Sequence, residues 1–489
     1  MGCAKENHSL QASAQGRTYK IGQERRQTVR QWEDSVKIDK AQERGAVARA
    51  GAVPAFRAWS SVGILLVLAL VSMLDRQIIS LLVDPIKADL NLSDTEISLL
   101  QGLAFSLFYS TAAIPLGWAV DRYPRKIVCY FGVTVWSLGA SACGLATNFW
   151  QLFLARITVG AGEASLNPAS VSLISDIFPR EKVGSAMGVY GSAVSLGSGL
   201  ALIIGGLIIE FFAGQDRILF PLVGEISAWQ AVFLATGLPG VAIAFLAFLL
   251  TDPRPRRTKN TPAEKVEDGF AAYMRVNGRL IVLLLAGFSF AAFNFYAIGS
   301  WTPAYLGRTF GLKADEIGWA WGLIVMISGA TGAIAGGLLI DRAYRAGIHD
   351  ATIAVPAFAA LAAWPVLTIA YQLPGPVPVL AALGIGTLLI GIVAAGSLAV
   401  WQRVAPPQLR GRMSAIFGLV STGTGATLGP IMPALVTDHV FADEAMVGWS
   451  LSIVMGVALP LLALCLLGAR RVLAATPELA IPGEAPAAA

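Results

Sequence analysis

Residues 117–126 read GWAVDRYPRK, and residues 337–342 read GLLIDR. Both contain G-x-x-x-D-R, and each closes a long apolar run with an acid and a base side by side. A fainter echo pairs PREKVGSAMGVYG, from Pro179, with PPQLRGRMSAIFG, from Pro406. The chain therefore reads as two copies of one plan.

The medium around those sextets is lipid. Of 489 residues, 55% are hydrophobic and 14% charged, with a mean hydropathy of +0.64; a soluble domain carries about a quarter charged residues. Windows of about nineteen residues mark twelve spans, near 59–83, 95–120, 127–147, 150–178, 183–212, 229–251, 279–307, 315–340, 350–372, 377–403, 411–437 and 447–470. Each is long enough to cross a hydrocarbon core of about 30 Å. The expected fold is an all-α membrane protein, with twelve transmembrane helices in two pseudo-symmetric six-helix bundles. The bundles fall over 58–251 and 279–470. Between them, the prolines and charges of DPRPRRTKNTPAEKVED mark a linker, 252–278, on the membrane surface. Tails cover 1–57 and 471–489.

Lysine and arginine set the orientation. With the N-terminus inside, the inner loops hold Arg122, Arg125, Lys126, Arg180, Lys182, Arg342, Arg345, Arg410 and Arg412, and the linker adds more. The outer loops hold Lys87, Arg217, Arg308 and Lys313. Both termini are thus expected in the cytoplasm, with the protein integral to the cell (inner) membrane. No cleavable signal peptide is expected, because the first 57 residues are polar and mixed in charge. That tail is either disordered or an amphipathic surface helix. The net charge of +5 belongs mainly to the loops, so nucleic acid is not an expected partner. Cys3, Cys129, Cys143 and Cys465 are scattered and suggest neither a disulfide framework nor a metal site.

GWAVDRYPRK resembles the inner-loop signature of the major facilitator superfamily, with Pro124 where a glycine is usual. Asp75-Arg76 in span one, Arg156-Ile-Thr-Val-Gly-Ala-Gly-Glu163-Ala-Ser in span four and SWTPAYL (300–306) in span seven resemble the Spinster branch more closely. The superfamily resemblance covers residues 59–470. It implies a transporter whose substrate site lies between the halves near the midplane. The Spinster resemblance implies lysophospholipids or sphingosine-type lipids as substrates.

Depth can be read without the family. Span one runs outward, so Asp75 lies eight residues short of Val83, a depth of roughly 12 Å at about 1.5 Å per residue. Span four runs inward from Trp150, which puts Arg156 about 9 Å deep and Glu163 about 20 Å deep. Arg156 and Glu163 are seven apart and share a helix face. The four charges sum to zero. A lone charge at the bilayer centre costs roughly 2.5–3.5 kcal/mol on insertion scales, and burying ion pairs is a poor source of stability. A working role for the cluster follows: Asp75 and Glu163 carry protons, tuned by Arg76 and Arg156. A proton gradient is the energy source, and no other cofactor is called for. The bland alternative is an ion-pair network that only locks the first half together.

At the inner helix ends, Asp121, Arg122, Asp341 and Arg342 read as snorkelling interfacial charges; the superfamily resemblance implies instead that this loop latches an inner gate. In the gate reading, Asp121 faces the N-terminus and dipole of span eleven, and Arg122 or Arg125 reaches Asp176. The glycines of spans five and eleven are first of all close-packing residues.

The second half has almost no buried charge before Arg403, and its span seven is aromatic. A cavity charged on one wall and apolar on the other suits an amphipathic, lipid-like ligand. Asn294, Tyr296, Trp301, Tyr190 and Ser195 are the candidate cavity residues. A multidrug–proton antiporter for apolar or cationic compounds is the alternative transporter. An enzyme is disfavoured, since the three histidines lie outside the spans or at their ends and no G-x-S-x-G, H-E-x-x-H or P-loop motif occurs. A transport-dead sensor is disfavoured by the lack of a large soluble domain. A monomer is expected.

Overall fold

The computed structural model describes residues 53–215, 217–220, 224–253, 270–405 and 409–475. Most of both expected tails and of the expected linker lie outside these residues. The first half comprises α1 (Ala55–Leu81), α2 (Val83–Leu90), α3 (Asp94–Gln101), α4 (Leu103–Arg122), α5 (Arg125–Cys143), α6 (Phe149–Glu163), α7 (Leu166–Ile177), α8 (Arg180–Gly191), α9 (Ala193–Phe212) and α10 (Ala228–Ile243). The second comprises α11 (Phe270–Phe310), α12 (Ala314–Arg345), α13 (Ala351–Ala370), α14 (Pro376–Val404), α15 (Arg410–Phe417), α16 (Gly423–Leu435) and α17 (Val447–Ala475).

Among the described residues, eleven helices are long and apolar enough to cross a membrane. The expected span four is the exception. It breaks after Glu163 into α6 and α7, neither long enough alone. The break lies where spans three and four touch, since the Ser165 side chain occupies the space a Cβ on Gly132 would need. Other expected boundaries move outward. The helix of span seven already starts at Phe270, inside the expected linker, and the last helix runs to Ala475. One feature is not helical: an antiparallel hairpin of β1 (Ile218–Phe220) and β2 (Gly224–Ile226) joins spans five and six.

Local signals account for several starts. Ser93 accepts from the Glu96 backbone N–H at 3.1 Å, while Glu96 accepts from the Ser93 N–H at 2.9 Å, so α3 opens on a capping box. Asn148 caps α6 by accepting from Gln151 N–H at 3.0 Å.

Each half packs within itself, and two seams join them. At one seam α9 crosses α12; at the other α3 and α4 meet α16. Both seams lie towards the end of the molecule that carries the β hairpin, here the hairpin end. At the first seam a Cβ on Gly199 would stand 2.3 Å from the Gly322 carbonyl oxygen. Only glycine lets the two backbones approach so closely. At the second, the Ser106 and Thr427 hydroxyls hydrogen-bond at 2.5 Å. A single apolar core runs through both halves there, from Ile78 and Trp229 to Trp301 and Trp321.

The opposite end carries Arg122, Arg342 and Arg410 and is here the basic end. The core around Phe288 and Trp401 belongs to the second half alone. Gly184, Gly188, Gly191 and Gly337 face open space. The halves are therefore joined at the hairpin end and parted at the basic end.

Candidate functional site

A cavity of about 470 Å³ lies between the halves. Its first-half wall is polar and charged, with Arg76, Gln77, Gln101, Arg156, Glu163 and Asn167. Among the described residues the second-half wall holds no charged residue; Phe295, Ile298, Trp321, Val325 and Ile390 dominate it. The asymmetry expected from sequence is thus present.

All four expected charges converge, with pairings that sequence left open. The Arg76 Nε donates to Glu163 Oε2 at 2.6 Å, and the Ser72 hydroxyl donates to the same oxygen at 2.6 Å. Arg76, whose partner could not be named from the sequence, is therefore bound to Glu163. Its guanidinium also lies 4.6 Å from the Phe105 ring centroid and 4.8 Å from that of Tyr109, within cation–π range. Arg156 stands 6.0 Å from the Phe105 ring centroid. Arg156 donates to the backbone carbonyl of Asp75 at 3.0 Å, not to its carboxylate. Phe105 can occupy this place because Gly160 brings α6 against α4: a Cβ there would stand 2.4 Å from the Phe105 carbonyl oxygen.

Asp75 faces away from the cavity. It is buried, and neither carboxyl oxygen has a hydrogen-bond partner. An adjacent pair on one helix thus divides its roles, as the roughly 100° between successive side chains allows. Arg76 lines the cavity; Asp75 points into the first-half core.

The cavity candidates divide too. Tyr190 and Tyr296 line it. Asn294 does not: it is fully buried and its amide returns to the Phe290 carbonyl at 2.7 Å. Trp301 is buried in the joint core, donating to the Pro430 carbonyl at 2.7 Å. Ser195 packs against Gly329. An aromatic helix facing several neighbours cannot be assigned a cavity face from its composition, which is why two span-seven residues were misplaced.

At the basic end, Arg125 and Asp176 are paired as expected, and Asp252 accepts from the Arg125 backbone N–H at 2.8 Å. These three tie spans three, four and six within one half, so Arg125 is not a contact between halves. Asp121, Arg122, Asp341 and Arg342 are exposed, and Arg122 lies 4.0 Å over its own helix neighbour Trp118. The packing of α4 on span eleven lies along Gly418–Thr422 and α16.

A second charged cluster, at the hairpin end, escaped the sequence reading. Arg308 of α11 clamps Asp94 with two bonds of 2.7 and 2.8 Å, and reaches Asp84 at 2.7 and 2.9 Å. Lys87 bonds Asp94 within its half and Glu444 across the seam, the latter at 2.7 Å. Asp438 accepts from the backbone N–H of Thr95 at 2.7 Å, so one half caps a helix of the other. Lys87 and Arg308 read as loop charges because their acids lie in another span or another half. Phe105 and Tyr109 could have been found: with Gln101 they recur every four residues along span two.

Two helical bundles around a central cavity with one ionisable wall are the build of a membrane transporter. The family model described as Major Facilitator Superfamily matches residues 65–430, and the chain belongs to that family. An MFS-type efflux pump of Mycolicibacterium smegmatis is 27% identical over 389 residues, 79% of this chain and 86% of that protein. Protein spinster homolog 3 of Homo sapiens is 26% identical over 412 residues, 79% of this chain and 76% of the relative. A bacterial homologue of the human lysosomal transporter Spinster, crystallised inward-facing and unoccupied, superposes with a TM-score of 0.73. It is 22% identical, over 88% of this chain and 100% of that one. The Spinster resemblance read from the motifs is borne out, and the family and fold are those of transporters, not enzymes.

Proposed function

We propose that the protein is a proton-coupled secondary transporter that moves an amphipathic, lipid-like molecule, of the lysophospholipid or sphingosine type, across the cell membrane. The two-faced cavity carries this reading. A head group can meet Arg76 and Glu163 on one wall while an apolar tail lies along Phe295, Val325 and Ile390 on the other. A strongly acidic solute would call for basic side chains on both walls, and the second half contributes none.

Coupling rests on the two carboxyl groups. Glu163 reaches the cavity and is held by Arg76 and Ser72. Asp75 is buried with its carboxyl oxygens unpartnered. An ionised carboxylate without donors is costly in a dry interior, and a bound proton removes that cost. Alternation of the cavity between its two openings would let protons reach and leave this pair. The positive-inside rule puts the basic end and both termini in the cytoplasm.

Reconstituted protein tests this directly. A lysophospholipid and a cationic dye are compared as substrates across an imposed pH gradient, in wild type, Asp75→Asn and Glu163→Gln. The expected result is lysophospholipid uptake driven by the gradient in wild type and lost in the variants, with exchange of labelled for unlabelled lipid retained. Unchanged gradient-driven uptake in both variants would refute the coupling. Dye transport without lipid transport would establish the multidrug antiporter, which the likeness to an efflux pump keeps as the second reading.

A further inference from the structure

The hairpin-end charges do more than hold the halves together. Each half carries both signs. Asp84, Lys87 and Asp94 belong to the first; Arg308 and Glu444 belong to the second. Three ion pairs cross the seam, from Arg308 to Asp94 and Asp84 and from Lys87 to Glu444. Each half also holds a replacement pair already close. Lys87 is hydrogen-bonded to Asp94. The Arg308 Nη2 lies 3.9 Å from Glu444 Oε2, and its Nη1 donates to the Glu444 backbone carbonyl at 3.4 Å.

We propose that these five side chains form a partner-exchange latch. As the hairpin end opens, Arg308 gives up Asp94 and Asp84 for Glu444, while Lys87 gives up Glu444 and keeps Asp94. Burial is the reason such a device is needed. Asp94 is fully buried, and the Lys87 and Arg308 side chains are only 7% and 9% exposed. Removing one partner from a buried pair strands the other charge and is strongly unfavourable. A seam closed only by cross-half pairs would strand charges in both halves each time it parted. With an acid and a base in each half, opening exchanges one pairing for another, and the barrier stays low enough for a working cycle.

The proposal separates from a plain ionic clasp by sign. In a plain clasp every residue favours closure, so removing any of them opens the seam. In the exchange latch, Arg308→Met removes the main closing contacts and opens it. Lys87→Met and Glu444→Gln do the reverse. In the closed state Lys87→Met loses Glu444, which is 62% exposed, and also Asp94, which Arg308 still clamps, while Glu444→Gln loses Lys87 and the 3.9 Å approach to Arg308. In the open state the two variants leave Asp94 and Arg308 with no companion. Both variants therefore favour closure.

The experiment uses the full chain in nanodiscs, with Cys3, Cys129, Cys143 and Cys465 replaced by alanine and Ser106 by cysteine. Ser106 is buried at the seam between α4 and α16, so its modification rate by a polar thiol reagent reports the open fraction, however small. Arg308→Met should raise the rate about tenfold or more, the equivalent of 1.4 kcal/mol. Lys87→Met and Glu444→Gln should each lower it about threefold. Parallel proteins that keep Cys143, a wholly buried thiol, report unfolding and should show no change. Faster modification in Lys87→Met and Glu444→Gln, or rates equal to wild type, would overturn the exchange.

Discussion

The pairing of Arg76 with Glu163 makes a quantitative prediction. The Glu163 side chain is wholly buried and that of Arg76 is 19% exposed, with the Nε–Oε2 bond at 2.6 Å. Glu163→Gln leaves the guanidinium without its counter-charge, though Phe105 and Tyr109 still face it. Breaking a buried pair from one side costs about 3–5 kcal/mol. The ring contacts restore about 0.5–2 kcal/mol, and the cavity opening admits water to the Arg76 head. A net loss of about 1–4 kcal/mol is therefore expected for Glu163→Gln, and about 3–5 kcal/mol for Arg76→Gln, where the wholly buried Glu163 has no ring to face. The double variant strands neither charge. It should be less destabilised than the sum of the singles, with a coupling of about 1–3 kcal/mol, the range for residues in one network. Reversible unfolding of the purified protein in mixed micelles of increasing denaturing detergent measures all four corners of the cycle. Gradient-driven uptake should be absent from all three variants, so recovered stability without recovered transport separates the ion pair from its work. Additive losses, within about 0.5 kcal/mol, would show that the pair does not act as a unit and would refute the reasoning.

Other outcomes follow from named contacts. Phe105→Leu removes the ring that Arg76 and Arg156 both approach and should weaken binding of a lysophospholipid about threefold to thirtyfold, from the cation–π range of about 0.5–2 kcal/mol; equilibrium binding to the nanodisc-held protein reads this. Gly199→Val pushes a side chain into the Gly322 carbonyl and Met326. It should part the seam between α9 and α12 or cost about 1–3 kcal/mol in overpacking, visible as a longer distance between spin labels at Ala88 and Val440 or as a lower melting temperature. Arg125→Met removes the cation that Asp176 and the largely buried Asp252 share. It should destabilise the first half by about 1.5–3 kcal/mol, the range for a hydrogen bond to a charged group, while the distance between those labels in the surviving folded fraction stays at its wild-type value.

The transmembrane plan was readable from the chain because lipid imposes it. Each span must satisfy its own backbone and present about twenty apolar residues, so length and hydropathy alone located the spans, though not the break in span four after Glu163 or the early start of the span-seven helix at Phe270. The repeated G-x-x-x-D-R gave the two halves, and seven-residue spacing put Arg156 and Glu163 on one face of span four. Depth along each helix is a local quantity, and it brought four distant charges to one region. Rotation about each helix axis is not local. It depends on which neighbours a span packs against, and so the sequence could not say that Arg76 turns to Glu163 while Asp75 turns inward, or that Asn294 and Trp301 face the core. Contacts between halves lie further still from the sequence. Arg308 is separated from Asp94 by most of the intervening bundle, and its reading as a plain outer-loop charge held until the two seams closed over it. Hydrophobic pattern decides where a chain crosses the bilayer; only tertiary packing decides which of its rare charges are neighbours.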